Sequence, residues 1–404
     1  PISMPLLTPC YIADFSAVSN FMPREFGYFD VVIMDEASQL RIEDAIPTLA
    51  RGKQFIIAGD SQQLPPTDFF NSRDDSEDEL ITDAESLLEV AGSTLGYGSS
   101  SKELLVHYRS KFSELINFSN NNFYSGKLVV PPSTQTIDKS KCIERVCLRH
   151  EGGYRAGGTN IREVEKIVLY LKDFTDKQRN HKYSILIATM NSVQQSLLND
   201  AIDKLEADSE NFKKYRNYWR ENESGTQRIR VQNLESIQGD ERDIVIFSTV
   251  YGLEGIGAPR VYQRFGPINS DNGYKRLNVI ITRQRLKLKV FTSLLSTDIQ
   301  DPKSRGLIAF KDFLKFLESG LIPVRAESFN TETESYFEES VKKALELNPA
   351  FDKYEKHTQV KQSGFRIDMA LYDVEKSEYV IGIECDGAAY HSSRAAKDRD
   401  RNRQ

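Results

Sequence analysis

Phe29-Asp30-Val31-Val32-Ile33-Met34-Asp35-Glu36-Ala37-Ser38-Gln39-Leu40 is the stretch that decides the fold. Val31 to Met34 is a short continuous apolar run, the pattern of a buried parallel strand. Asp35 and Glu36 stand at its carboxyl end, which is where open α/β sheets bind ligands. One carboxylate there can hold Mg²⁺ while its neighbour orients or deprotonates a water. Alone, the pair reads equally well as a solvated turn. A second apolar run, Phe55-Ile56-Ile57-Ala58, changes the balance, because it ends in Gly59-Asp60-Ser61-Gln62-Gln63-Leu64-Pro65-Pro66.

DEAS followed by GDxxQLPP resembles motifs II and III of the superfamily-one helicases, on the branch that includes the nonsense-mediated-decay helicases. Further motifs follow in the family's order. His107-Tyr108-Arg109-Ser110 resembles the opening of the second RecA-like domain. Gln238-Gly239-Asp240-Glu241-Arg242-Asp243, ahead of the apolar run Ile244 to Phe247, resembles motif V. Arg276 to Arg285 (RLNVIITRQR) resembles motif VI, departing from it at Ile280 and Gln284, where the family carries alanine. The likeness covers roughly residues 5–322.

The resemblance implies a role for each residue. Asp35 would hold Mg²⁺ and its waters, and Glu36 would polarise the water that attacks ATP. Gln63 would contact the γ-phosphate, with Asp60 beside it. Arg109 and Arg283 would act as arginine fingers, their guanidinium forks matching phosphate oxygens. Gln238, Gly239 and Arg285 would line the nucleotide, and Glu241 would lie near its ribose or the domain interface, with Gly239 permitting a tight backbone approach there.

Composition sets the outer bounds. At 404 residues the chain has room for two or three domains. With 28% charged and 39% hydrophobic residues it is an ordinary globular chain. A net charge of −6 excludes a polycation, so nucleic acid must be met through a local basic groove. Cys10, Cys142, Cys147 and Cys385 lack metal-site spacing and read as reduced thiols of a cytoplasmic protein. No apolar run approaches membrane-spanning length, and no signal peptide is present, so no membrane partner is expected. No GxxxxGK[ST] phosphate loop occurs. The chain is therefore expected to be a fragment lying downstream of that loop, one that alone neither binds ATP tightly nor hydrolyses it.

Between the motifs, Ile42 to Leu49 reads as a short helix with Glu43 and Asp44 in its first turn. Asn71 to Glu79 is an acidic surface loop, and Gly96 to Ser101 a Gly/Ser-rich hinge. The aromatics of Glu114 to Tyr124 have helical spacing and read as core. Tyr183 to Thr189 is a buried strand, and Ser192 to Leu205 a helix. Tyr215, Tyr218 and Trp219 interleave with basic residues, a pattern that can stack bases. An ordinary amphipathic surface helix explains them equally well and is the reading favoured. Gly306 to Leu317 reads as an amphipathic connector.

From about residue 325 the character changes. A helix (Glu332 to Glu346) precedes three strands, Tyr354 to Val360, Phe365 to Leu371 and Tyr379 to Gly387. Glu384 and Asp386 alternate with Ile383 and Cys385, so both carboxylates share one strand face, and Asp368 on the neighbouring strand could converge with them. Clustered hard oxygens of this kind suit Mg²⁺ or Mn²⁺. The order D…ExDG…H resembles the PD-(D/E)xK nuclease superfamily, nearest the very-short-patch-repair (Vsr-like) endonucleases. By that resemblance Asp368 and Glu384 would bind metal with Asp386 close by, Glu338 would complete the site, and His391 would move a proton or touch phosphate. Arg394, Lys397, Arg399, Arg401 and Arg403 would meet the DNA backbone. The family's lysine is absent, Asp386 standing in its place.

The expected architecture is α/β: a partial RecA-like domain over 1–98, a complete one over 99–303 with parallel sheets and flanking helices, a helical connector over 304–324, and a small α/β restriction-endonuclease-like domain over 325–404. The expected function is an ATP-dependent helicase or translocase on nucleic acid, single-stranded or forked DNA moved 5′ to 3′, with an appended metal-dependent endonuclease. The alternatives are an RNA helicase, or a motor whose terminal domain binds DNA without cutting it.

Overall fold

The computed structural model describes residues 8–66, 85–96, 101–131, 142–177, 183–221, 229–237, 239–255, 257–319, 336–362, 365–374, 378–383 and 385. Two compact units share the chain. One gathers Pro1–Glu103, Arg264–Val279 and Ser304–Leu307; the other takes Leu104–Gln263, Ile280–Lys303 and Ile308–Gln404.

In the first unit, helix α1 (Phe15–Phe21) starts at Asp14, whose side chain accepts from the Ala17 amide at 2.7 Å. Strand β1 (Phe29–Met34), helix α2 (Ile42–Leu49) and strand β2 (Gly52–Ile57) form a β-α-β unit, with the strands parallel and Val32 opposite Phe55. The α2 bounds coincide with those expected. The burial of β1 does not. Val32 and Met34 pack against Ala37, Ala45 and Leu87, but Val31 is 45% and Ile33 66% exposed. Period two separates the faces, and within this two-stranded sheet only one face is covered. Helix α3 (Leu87–Leu95) opens with a reciprocal capping box between Ser86 and Glu89.

In the second unit, helix α4 (Glu114–Phe123) precedes strand β3 (Ile143–Cys147) and helix α5 (Ile161–Lys177). Strand β4 (Ile185–Thr189), helices α6 (Ser192–Asp208) and α7 (Glu210–Glu221), and strands β5 (Arg230–Asn233) and β6 (Arg242–Ser248) follow. Helix α8 (Gly273–Ile280) belongs, all but its last residue, to the first unit; strand β7 (Gln284–Thr292) and helix α9 (Arg305–Ser319) from Ile308 onward belong to the second. The five strands are parallel in the order β3-β7-β6-β4-β5. Every residue of β4 is buried, as its unbroken apolar run requires. Ile167, Leu171, Leu198, Phe212 and Tyr215 cover the sheet from α5, α6 and α7. Phe212, Tyr215 and Trp219 are buried while Lys214 on the same helix is exposed, so α7 is the amphipathic helix expected and these rings are core.

Helix α9 is not a free connector. Phe313 and Phe316 pack on Phe118 of α4, with ring centroids 5.3 and 5.5 Å apart, so its apolar face completes the core of the second unit. Cys142 lies buried just ahead of β3, its carbonyl accepting from Leu288 N at 2.8 Å. Burial, reinforced by the charge of Glu114, pushes its thiol up to about 12. Among the described residues no cysteine forms a disulfide.

The C-terminal segment forms helix α10 (Tyr336–Glu346) and an antiparallel sheet of β8 (Tyr354–Gln362), β9 (Phe365–Asp373) and β10 (Glu378–Ile383), with β9 central. The β10 register shifts between Tyr379 and Ile381. Among the described residues, no helix is long and apolar enough to cross a membrane.

Candidate nucleotide and nuclease sites

Asp35 and Glu36 are exposed at the carboxyl end of β1, where the strand's last buried residue, Met34, gives way to a turn. Backbone bonds splice this turn to the loop after β2: Ala58 N donates to Met34 O and Ala37 N to Ala58 O, both at 2.8 Å. The loops approach so closely that a Cβ on Gly59 would lie 2.9 Å from Ser38 N and 3.1 Å from Ala37 N. Glu36 occupies the left-handed region at φ 52°, a conformation that costs a non-glycine residue of order 1–3 kcal/mol. Asp35 Oδ1 accepts from Glu36 N at 2.9 Å, and Gln39 Nε2 donates to Glu36 Oε2 at 3.2 Å. Asp35 thus presents exposed hard oxygens, a donor set that fits Mg²⁺.

Both oxygens of Asp60 act within its own loop. Oδ1 accepts from Gln62 N and Oδ2 from Gln63 Nε2, each at 2.9 Å. Gln62 O accepts from Asn278 Nδ2 at 2.9 Å, tying this loop to α8. The carboxamide of Gln63 is therefore oriented by Asp60.

The second cluster follows from sheet register. Arg242 of β6 lies opposite Gln284 of β7, so Glu241 and Arg283, one residue before their strands, are neighbours. Arg109 Nε donates to Glu241 Oε2 at 2.8 Å, and its Nη1 reaches Thr282 O at 3.4 Å. Arg285 lies 3.9 Å from Glu241 Oε1 and 3.3 Å from Asp243 Oδ1. Arg283 is buried. Burial raises the Glu241 carboxyl, but the Arg109 hydrogen bond and the charges of Arg109, Arg285 and Arg283 outweigh it and hold the group below its usual value. Burial, with the Arg109 charge adding to it, lowers His107 to about 4, so the ring is neutral at pH 7; its Nε2 lies 2.9 Å from Ser110 Oγ. Gly239 has φ 85°, and no described atom comes within 4 Å of a Cβ placed there. Its backbone angle, not a close protein contact, is what requires glycine. Gln238 lies outside the described residues.

In the C-terminal sheet, Asp368 Oδ2 accepts from Cys385 N at 2.7 Å. With Ile383 opposite Met369, the Asp368 carboxylate sits where β10 ends. Glu384, Asp386, His391 and the basic tail lie outside the described residues, as does the side chain of Glu338. Among the described residues, no three His, Cys, Asp or Glu side chains form a metal-sized group. The hard oxygens of Asp368 fit Mg²⁺ or Mn²⁺ as one ligand of a larger set.

One buried group gave no motif signal. Glu163, in the first turn of α5, is fully buried and accepts from Ser248 Oγ at 2.6 Å and Val250 N at 3.0 Å. Val250 stands at φ 67°, an outlier for a β-branched residue. The carboxyl pins this turn to the helix.

Parallel sheets flanked by helices, with acids at one strand's carboxyl end and an arginine–glutamate cluster before two others, are consistent with a RecA-like α/β architecture followed by a small restriction-endonuclease-like domain. Sequence comparison agrees. Residues 84–294 and 12–69 each match a family model described as an AAA domain, and residues 337–404 match REase_MTES_1575. The chain belongs to the AAA-domain family, in the branch represented by superfamily-one helicases.

Among its relatives is the uncharacterized ATP-dependent helicase MG140 of Mycoplasma genitalium, 32% identical over 74% of this chain and 26% of that protein. The DNA replication ATP-dependent helicase/nuclease DNA2 of Gallus gallus is 26% identical over 64% of this chain and 22% of its own length. Helicase sen1 of Schizosaccharomyces pombe is 26% identical over 69% and 16%. The chain spans about a quarter or less of the length of these relatives.

Proposed function

We propose that this chain is the catalytic-motif portion of an ATP-driven, intracellular helicase that moves 5′ to 3′ on single-stranded or forked DNA, with a C-terminal domain that cuts DNA. Residues 1–98 and 99–303 would be its two RecA-like domains, 304–324 the link and 325–404 a Vsr-like nuclease. The convergence of Arg109, Arg283 and Arg285 around Glu241 carries the motor reading. Mg²⁺ bound with ATP would neutralise phosphate charge. Asp35 would hold that ion, Glu36 would orient the attacking water, and Gln63, positioned by Asp60, would contact the γ-phosphate. Arg109 and Arg283 would stabilise the charge that develops there.

The hydrogen bond from Cys385 N to Asp368 supports the nuclease reading, because it holds this carboxylate at the chain that follows β10. Asp368 and Glu384 would hold Mg²⁺ or Mn²⁺, with Asp386, Glu338 and His391 in support. The test is cleavage of labelled single-stranded, forked and duplex DNA by the whole protein with Mg²⁺ or Mn²⁺, beside Asp368→Ala. Metal-dependent cutting lost in the variant is expected. Absence of cutting, with ATP hydrolysis still stimulated by DNA, would leave a motor with a DNA-binding appendage; stimulation by RNA alone would make it an RNA helicase.

A further inference from the structure

Arg109 is held at its guanidinium by Glu241, and its backbone is held separately, by the histidine two residues before it. Ser110 N donates to His107 Nε2 at 3.2 Å, and Ser110 Oγ lies 2.9 Å from the same nitrogen. The imidazole thereby closes a four-residue turn whose inner residues are Tyr108 and Arg109. Asparagine and aspartate close shorter turns in the same manner, by offering a side-chain acceptor to a nearby backbone N–H. A ring nitrogen that accepts from an amide carries no hydrogen, so the proton of the neutral ring is on Nδ1. Burial, with the Arg109 charge adding to it, keeps the ring neutral at pH 7, and the acceptor persists.

Both ends of this turn are fixed as well. Ahead of it, His107 N donates to Val129 O at 2.8 Å. Behind it, Lys111 N donates to Arg285 O at 2.8 Å, and Ser110 Oγ reaches Gln284 O at 3.4 Å. Gln284 and Arg285 directly follow Arg283 at the start of β7. Ser110 and Gln284 are buried, whereas Tyr108 is 83% exposed. The His107 ring thus faces the backbone that carries Arg109, and that backbone is sewn to the strand that follows Arg283.

The geometry points to His107 as a positioning residue: its Nε2 holds the turn that sets Arg109, in register with Arg283, against the charge of a phosphate undergoing hydrolysis. This rests on the motor reading given above. Glu241 is partly exposed and grips only the far end of a long side chain, so the turn supplies the fixed point from which that side chain reaches. Such precision matters because a misplacement of roughly 1 Å can cost on the order of a hundredfold in rate. An arginine finger acts on charge that develops in the transition state, so loosening its support lowers kcat and leaves KM nearly unchanged.

The experiment measures nucleic-acid-stimulated ATP hydrolysis by the whole protein as parent, Arg109→Ala, His107→Leu and His107→Gln. Hydrogen–deuterium exchange of the peptide spanning Tyr108 to Lys111, read by mass, accompanies it. Leucine has no acceptor, whereas glutamine offers Oε1 to Ser110 N. His107→Leu should lower kcat about tenfold to a hundredfold, with KM for ATP nearly constant, and should speed exchange in that peptide. His107→Gln should restore most of both. Exchange in β4 should be alike in all four proteins; if His107→Leu speeds it there too, His107→Ala replaces it as the variant without an acceptor. Parent-like kcat in the acceptor-free variant, beside lost hydrolysis in Arg109→Ala, overturns the inference and keeps the motor reading. A glutamine variant no better than the acceptor-free one does the same. Parent-like hydrolysis by Arg109→Ala overturns the motor reading and this role of His107 with it.

Discussion

Arg109 Nε donates to Glu241 Oε2 at 2.8 Å, joining two residues 132 positions apart. The pair is partly exposed, so it contributes only roughly 0.2–1 kcal/mol to stability. Arg109→Ala should therefore shift the melting temperature by about 4 °C or less. On the proposed motor reading, the same change in the whole protein should lower the kcat of ATP hydrolysis by about a thousandfold, the effect of losing an arginine finger. Unfolding curves beside ATPase rates check this; a large drop in melting temperature would make Arg109 a structural cation instead.

Glu163 predicts a pH dependence. Burial pushes its carboxyl up to about 8, against the opposing hydrogen bonds from Ser248, Val250 and Thr249. The folded chain keeps a proton that the unfolded chain releases near its ordinary value of 4.5. Folding then binds more protons than unfolding does, and this group's contribution falls as pH rises from about 4.5 to about 8. Glu163→Gln, which cannot ionise, should flatten the melting-temperature profile between those limits. Parallel profiles for the two proteins would place the titration elsewhere.

Phe118 joins α4 to α9 through Phe313 and Phe316. Phe118→Ala should cost about 3–5 kcal/mol in urea unfolding, the usual cost of removing a buried aromatic ring. A loss below about 1 kcal/mol would mean that α9 is not part of this core.

The two glycines beside the nucleotide motifs should respond differently. Gly59→Ala drives a Cβ onto backbone nitrogen, which cannot yield as a side-chain end can, and should cost about 1–3 kcal/mol. Gly239→Ala meets open space and should cost about 1–2 kcal/mol through its left-handed φ alone. Gly239→Asn, which tolerates that angle better, should recover part of the loss, whereas Gly59→Asn should recover none. Equal behaviour at both positions in thermal unfolding would refute the distinction.

Helix α2, strand β4 and the core character of Phe118 were legible because each follows from local pattern: acids in a first turn, an unbroken apolar run, helical spacing. The burial of β1 was not, because an apolar run reports preference rather than which neighbours cover it, and Ile33 remains exposed. The packing of α9 depended on aromatics nearly two hundred positions away in the chain, which no local pattern encodes. Among the site residues, Glu241 and Arg109 carried motif signals, but that they meet is a consequence of β6 and β7 lying side by side. Glu163 carried none. An acid among apolar residues at the start of a helix reads as a favourable first-turn charge, and only the tertiary fold shows the turn it holds.

Cys142 offers a use beyond packing. Thiol-reactive probes need a thiolate, and this one is both enclosed and pushed up to about 12, while Cys10 is exposed. A brief pulse of alkylating reagent should mark Cys10 in the native protein and reach Cys142 only when the strand pairing of β3 with β7 opens. The chain thus contains its own clock for the opening of the five-stranded sheet, readable by mass without any substitution.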